Sequence, residues 1–375
     1  MAKRADAALT EPAPDVAAAR PAKKRLPFGV WFRRNGWRHI VGILGALFCL
    51  FPVVWVLSAA FNPLGTLSTN TSIVPEGLTL DNFRDLFSNE TLPFGRFLWN
   101  SFIIALVASS AQLVMSAMAA FSFSRLRWKG RRAGLLVILL VQMFPQFLAF
   151  IALFLMLDRI GDLLGEATMA PAILVWGLGG LVTAWFGFRI IRKGPTRFAR
   201  GIAYFMIGIG GLLMILGVLN VGSDATLIPP IGLNSHMGII LVYLGGSIGV
   251  NTWLIKGFMD SLPFSLDESA VVDGAGQWDV FSRIILPLSR PVLAVIFVIT
   301  FVFIYNEYIL ASILLRETNQ LTYPLGLQLL STGQYSAQWG QIAAGAVVGA
   351  APIVVVMLAA QDQLVGGLTA GAVKG

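Results

Sequence analysis

Ser265-Leu266-Asp267-Glu268-Ser269-Ala270-Val271-Val272-Asp273-Gly274-Ala275-Gly276-Gln277-Trp278-Asp279-Val280-Phe281-Ser282-Arg283-Ile284-Ile285-Leu286-Pro287 is a polar island in an otherwise apolar chain. Ser265-Leu266-Asp267-Glu268 has the form of a capping box, in which Ser265 accepts from the Glu268 amide while Glu268 reaches back. Asp267 and Glu268 then fall in the first turn, where negative charge suits the helix dipole. Gly274 follows about two turns later, at the place of a C-terminal cap. Beyond it, Val280, Phe281, Ile284 and Ile285 share one side at helical spacing, and Leu286-Pro287 is expected to end this second helix. The pattern predicts two short helices joined at a glycine and lying across a membrane face.

Everything around this island is built for a bilayer. Of the 375 residues, 56% are hydrophobic and 12% are charged, about half the charged share of a soluble domain. Mean hydropathy is +0.76. That excludes a soluble globule. Uncharged runs of bilayer-spanning length, roughly 20 residues, recur throughout. The single cysteine, Cys49, allows no disulfide framework or Cys-based metal site within the chain. His39 and His236 are the two histidines, and no Gly-Lys dipeptide occurs, so there is no Walker A loop. Any ATP must be hydrolysed by another protein. The net charge of +8 sits in short segments between apolar runs and reads as membrane topology, not as a nucleic-acid surface.

Working outward, residues 1–38 form a basic, Ala/Pro-rich segment expected to be a disordered cytosolic tail. The run from Ile40 to Phe61 lacks a small-residue cleavage site and reads as a retained first span. Further spans are expected in 97–124, 133–157, 167–188, 201–223, 236–257, 291–315 and 341–361. Pro145 is expected to kink the third. Eight spans put both termini in the cytosol, with 62–96 and 316–340 as extracytoplasmic loops. Under that topology, 23 Lys and Arg fall inside. Only Arg84, Arg96, Arg159 and Arg316 fall outside, which fixes the orientation by charge asymmetry.

The order of residues in the island also carries a resemblance. Glu268-Ser269-Ala270, three residues, Gly274, nine residues, then Ile284-Ile285-Leu286-Pro287 resembles the EAA loop of ABC importer permeases, departing only at Ser269. Val272-Asp273-Gly274-Ala275 is similar to the Asp-Gly-Ala core of that loop. Gly366-Gly367-Leu368-Thr369-Ala370-Gly371-Ala372-Val373-Lys374-Gly375 resembles the tail of the MalG-type permease of maltose and maltodextrin importers. Gln142-Met143-Phe144-Pro145 and Ile231-Gly232-Leu233-Asn234-Ser235-His236 are similar to the same subunit. The resemblance covers about 40–164 and 225–375.

It implies an all-α polytopic membrane protein with a type I importer transmembrane domain over 39–375. The hairpin at 165–224 departs from the six-span pattern and is inserted into it. The resemblance implies that the loop 261–290 is a coupling helix docking on the ATPase, through Glu268, Ser269, Ala270, Asp273, Gly274, Ala275, Ile284, Leu286 and Pro287. The tail residues Gly367, Leu368, Thr369, Ala370, Gly371 and Lys374 would also touch the ATPases. Ser331, Thr332, Gly333, Gln334 and Tyr335 would form a probe loop entering the cleft of a sugar-binding protein. The implied partners are a second, MalF-like permease, two MalK-like ATPases that bind ATP and Mg, an extracytoplasmic binding protein and membrane lipid. No cofactor is implied for this chain, and no nucleic acid. The implied location is the bacterial inner or plasma membrane.

Glu307 is an acid within an apolar span, where it either lines the translocation path or bonds between helices. Asn306, Tyr305 and Tyr308 flank it, and Gln142, Gln146 and Asn100 are further polar groups open to either role. His236, at a span boundary, reads as a cap or surface group. The glycines at 177, 179, 180, 208, 210 and 211 suit close helix packing. An ion-gradient-driven transporter would call for inverted repeats and discontinuous helices, and a membrane enzyme for a catalytic cluster. Neither pattern is evident. Maltose or maltodextrin is the expected substrate, with trehalose or another α-glucoside as the alternative.

Overall fold

The structure, a computed structural model, describes residues 29, 32–63, 77–165, 181, 185, 188, 207, 232–246, 248–332 and 339–372. Most of the inserted hairpin and of the N-terminal tail lie outside the described residues, as do Gly333, Gln334, Tyr335 and Lys374. Among the described residues every regular element is helical. The chain divides into units Met1–Trp55 and Val56–Gly375. The first holds a π turn, Phe32–Gly36, and most of α1 (Trp37–Ala60), whose most apolar window has no buried residue. Its exposed Leu, Val, Phe and Ile side chains are suited to lipid.

The second unit is organised by α3 (Phe94–Arg125), 32 residues and so about 48 Å long. Before it comes α2 (Asp81–Ser88). After it come α4 (Arg131–Gln142), α5 (Gln146–Gly165), α6 (His236–Gly246) and α7 (Ile248–Ser261). Then follow α8 (Ser265–Val272), α9 (Gln277–Leu288), α10 (Arg290–Tyr305), α11 (Ile309–Leu314), α12 (Tyr323–Ser331) and α13 (Trp339–Ala372). Helix α3 packs along α6, α7 and α10, and α13 closes over α10 and α2. Small residues on its buried stripe, Ala105, Ala108, Ser109, Ser116, Ala117 and Ala120, permit that close approach.

Two apolar cores result. One surrounds the first half of α3, where Phe301, Tyr305 and Tyr323 stack with centroids 5.8 and 5.5 Å apart. The other, at the far end of α3, gathers Phe121, Ile255, Met259, Val280, Phe281 and Ile285.

Three helices, α1, α3 and the first 25 residues of α13, are each long and apolar enough to cross a membrane. Two bent pairs, α6–α7 and α9–α10, raise that to five among the described residues. The expected spans are less continuous than their hydropathy implies. The third does not merely kink at Pro145: α4 stops at Gln142 and α5 starts at Gln146, because Pro145 has no amide to continue the ladder. The span expected at 291–315 ends at Tyr305 and restarts as α11. The loop 316–340 is not irregular throughout. It forms a 3₁₀ turn, Thr318–Gln320, and α12, with Leu321, Tyr323, Leu325 and Leu330 buried.

Candidate functional site

At the far end of α3 the quoted stretch folds as an elbow. Helix α8 ends in a Schellman motif: the Gly274 amide donates to Val271 O at 3.0 Å and the Ala275 amide to Ala270 O at 2.9 Å. Gly274 takes φ +84°, the left-handed conformation that glycine adopts without strain. Ala270 turns into the core, while Glu268, Ser269 and Asp273 face outward. Val272 is 87% exposed, and Leu266 and Val271 are also exposed, an apolar strip on a polar element.

The capping box expected at Ser265 does not form. The pairing starts one residue earlier, because the Phe264 carbonyl takes the amides of Asp267 and Glu268 at 3.0 and 3.1 Å. Only the reach-back half of such a box appears, at α9, where the Asp279 carboxylate accepts from the Gly276 amide at 3.2 Å. Helix α9 also runs past Leu286-Pro287. A π turn over Val280–Ile285 precedes that pair, and Pro287 falls in the first turn of the segment that follows, where a missing amide is tolerated. Val280, Phe281 and Ile285 are buried, with Phe281 5.0 Å from Phe121. Each contributes about 1.5–3 kcal/mol by leaving water. Ser289 then marks a 74° bend into α10.

One residue fastens this elbow from elsewhere in the chain. Arg125, the last of α3, has a side chain only 2% exposed. Its Nη2 donates to Met259 O at 2.9 Å and Leu262 O at 3.0 Å, and its Nε lies 3.2 Å from Asp267 Oδ2. Burial pushes the Asp267 carboxyl above the ordinary carboxylate range, and Arg125 pulls it part of the way back. Beside it Ser124 Oγ donates to Asp260 Oδ1 at 2.6 Å.

Midway along α3 lie two helix breaks. Between α6 and α7 the freed backbone groups are patched by side chains. Gln112 donates to Tyr243 O, and Gln142 donates to Gly246 O at 3.0 Å while accepting from the Val250 amide at 2.7 Å. Between α10 and α11, the Glu307 carboxylate accepts from the amides of Leu310 (2.8 Å) and Ala311 (3.0 Å) and from the Tyr243 hydroxyl (2.7 Å). Asn306 bonds back to Val302 O at 2.9 Å. A cavity of about 660 Å³ lies between the breaks, walled by Phe144, Phe150, Val242 and Phe303, with Gln112, Gln142 and Glu307 at its polar points.

The other end of α3 anchors the loop before α12. Asn100 donates to the carbonyls of Asn319 and Leu321 at 3.0 and 2.9 Å, and the Ser101 hydroxyl accepts from the Tyr323 amide at 2.8 Å. His236 Nε2 sits 3.0 Å from Gln320 O. Asn100 is thus a backbone cap and not a path-lining group. Ser331 and Thr332 end α12, and their hydroxyls bond to Gln328 O and Leu329 O.

The model of a family described as "Binding-protein-dependent transport system inner membrane component" matches residues 112–368. The chain belongs to that family. Over 331 residues it is 33% identical to the galactooligosaccharides transport system permease protein GanQ of Bacillus subtilis (strain 168), covering 88% of this chain and 92% of that one. It is 31% identical over 348 residues to the maltose/maltodextrin transport system permease protein MalG of Escherichia coli (strain K12), covering 90% and 95%. The MalG of Yersinia pestis is also 31% identical over 348 residues, covering 90% and 92%. Among solved structures, a bacterial ABC transporter that imports alginate matches with TM-score 0.56 and 16% identity, covering 90% of this chain and 99% of that one. That likeness supports the fold alone. The fold is that of an ABC importer permease, and the chain is a sugar-import permease of this inner-membrane family.

The EAA-like residues of this permease are brought together in one elbow, and Gln142 and Glu307 share one cavity. The tail positions Gly367, Leu368, Thr369, Ala370 and Gly371 continue α13 as helix. Arg125 and Gln112 were not picked out by the sequence reading. Arg125 looked like one more charge in a basic turn, and Gln112 like one more residue in an apolar span.

Proposed function

We propose that the chain is one permease of an ATP-driven oligosaccharide importer, and that α8 docks on an ATPase subunit. The observation that carries this reading is the elbow itself. A Schellman-capped helix presents Leu266, Val271 and Val272 outward while Ala270, Val280, Phe281 and Ile285 root it in the core. An exposed apolar strip on an anchored element is the mark of a protein-binding surface. A second permease completes the path, two ATPases bind ATP and Mg, and a binding protein delivers sugar. The elbow end faces the cytosol, with both termini and the helical tail 366–372 on the same side.

Ser331 and Thr332 end α12, which packs against the first half of α3 away from the elbow, and the loop 331–335 that starts there would reach toward the binding protein and act on sugar release. Maltose or maltodextrin is the proposed substrate, in keeping with the MalG relatives. The GanQ relative supports a galacto-oligosaccharide as the second reading. Uptake of labelled maltose, maltotriose, trehalose and galactobiose, in cells with and without this chain and with the partner proteins constant, decides between them. Maltose or maltotriose uptake that depends on the chain supports the first reading. Uptake confined to galactobiose supports the second.

A further inference from the structure

Arg125 joins three helices through one planar cation. Its backbone ends α3, its Nη2 takes Met259 O in the last turn of α7 and Leu262 O in the link that follows, and its Nε faces Asp267 in the first turn of α8. The guanidinium carbon also lies 4.2 Å from the centroid of the Phe264 ring, in the turn between α7 and α8. Ser124 adds a parallel bond from α3 to Asp260 near the end of α7, and Lys256 pairs with the same carboxylate. Along the chain α7 and α8 are linked only by Leu262-Pro263-Phe264. Arg125 braces both sides of that link.

A lysine cannot do this, because an ammonium is a point charge, whereas the guanidinium presents five donors in a fixed fork. Such a pair is a poor device for stability, since removing two charges from water offsets much of their attraction. It is a good device for geometry. Nε, Nη1 and Asp267 Oδ1 make no hydrogen bond among the described residues, so the Arg125–Asp267 contact at 3.2 Å is one of charge, which a small rotation of α8 keeps and does not break.

We propose that Arg125 is a positioning residue that makes α8, the end of α7 and the end of α3 move as one body. Displacement of α8 by an ATPase then reaches two membrane helices at once. The inference rests on α8 being the ATPase-docking element.

The test uses the full importer in native membranes with Arg125→Lys and Asp267→Asn. Three quantities are read: ATPase co-purification, ATP hydrolysis stimulated by the binding protein, and uptake of labelled maltose and galactobiose per ATP hydrolysed. In both variants the ATPases stay bound while uptake per ATP falls roughly tenfold, within the usual range of coupling energies. Lengthening the acid, Asp267→Glu, restores part of the uptake in the Arg125→Lys background. Unchanged uptake per ATP in both variants overturns the proposal, as does loss of the ATPases or failed assembly in both. Failure of the docking reading is separate: it shows as full ATPase retention by Gly274→Asp.

Discussion

The far end of α3 and its middle hold their neighbours by different chemistry. At the far end a buried cation, a carboxylate and an apolar plug around Phe121 and Phe281 fix an elbow whose own helices are capped. In the middle there is no ion pair among the described residues. Amides and one carboxylate, Gln112, Gln142 and Glu307, take the place of missing helix partners at two breaks. A junction of charges and packed rings passes force along a rigid path. A junction of hydrogen bonds to open backbone keeps a break satisfied inside an apolar layer. If α8 docks on an ATPase as proposed, a power stroke would enter at the charged end and the hydrogen-bonded breaks beside the cavity would be where the helices give.

The largest expected effect is at the elbow. Gly274→Asp places a side chain at φ +84°, a strain of about 1–2 kcal/mol. Added there, a Cβ meets nothing within 4 Å among the described residues, so any further loss is expected at a partner surface. Gly274→Asp is expected to insert, lose the ATPases on purification and abolish uptake, whereas Gly274→Ala shows the strain alone. Glu268→Ala is milder. With no capping box to lose, it forfeits about 0.3–1 kcal/mol of helix-dipole interaction and any charged contact to the ATPase.

In the middle, Glu307→Gln keeps one acceptor oxygen where two are in use. It should cost about 1.5–3 kcal/mol in thermal unfolding, as for a hydrogen bond to a charged group. The sugar preference in an uptake panel stays as before. A changed preference would mean that Glu307 contacts the cargo, and the contrast between the regions would weaken.

Smaller effects belong to the periphery. Gly333→Trp slows uptake while the ATPases still co-purify; their loss would place that loop on the wrong side. Deleting residues 165–224 and joining the flanks leaves ATPase stimulation by the binding protein in place. Complete loss of stimulation in a correctly inserted deletion would give the hairpin a part in coupling.

Local chemistry made the elbow legible in advance. The Gly274 cap bonds within five residues and the α9 apolar face repeats at helical spacing, so both show in the local sequence even though the face packs on distant residues such as Phe121. The capping box misled because Phe264, one residue earlier, supplies the carbonyl that the Ser265 hydroxyl was expected to replace. The breaks were hidden for the opposite reason. The bonds that stabilise the α6–α7 break join positions 104 and 131 residues apart, and an uninterrupted apolar run gives no sign of a missing turn there. Arg125 was hidden by its company, since four other basic residues within seven positions made it look like a topology signal.

The central claim is that α8 docks on an ATPase, and Val272 offers the most direct test. It is the most exposed apolar side chain of the elbow, and Cys49 is the only native cysteine. In a Cys49→Ser background, Val272→Cys is treated with a short bifunctional thiol reagent in the assembled importer. The account predicts an adduct of this chain with the ATPase subunit, sensitive to added ATP. An adduct with the extracytoplasmic binding protein, or none with the ATPase in an importer that still transports, would contradict it.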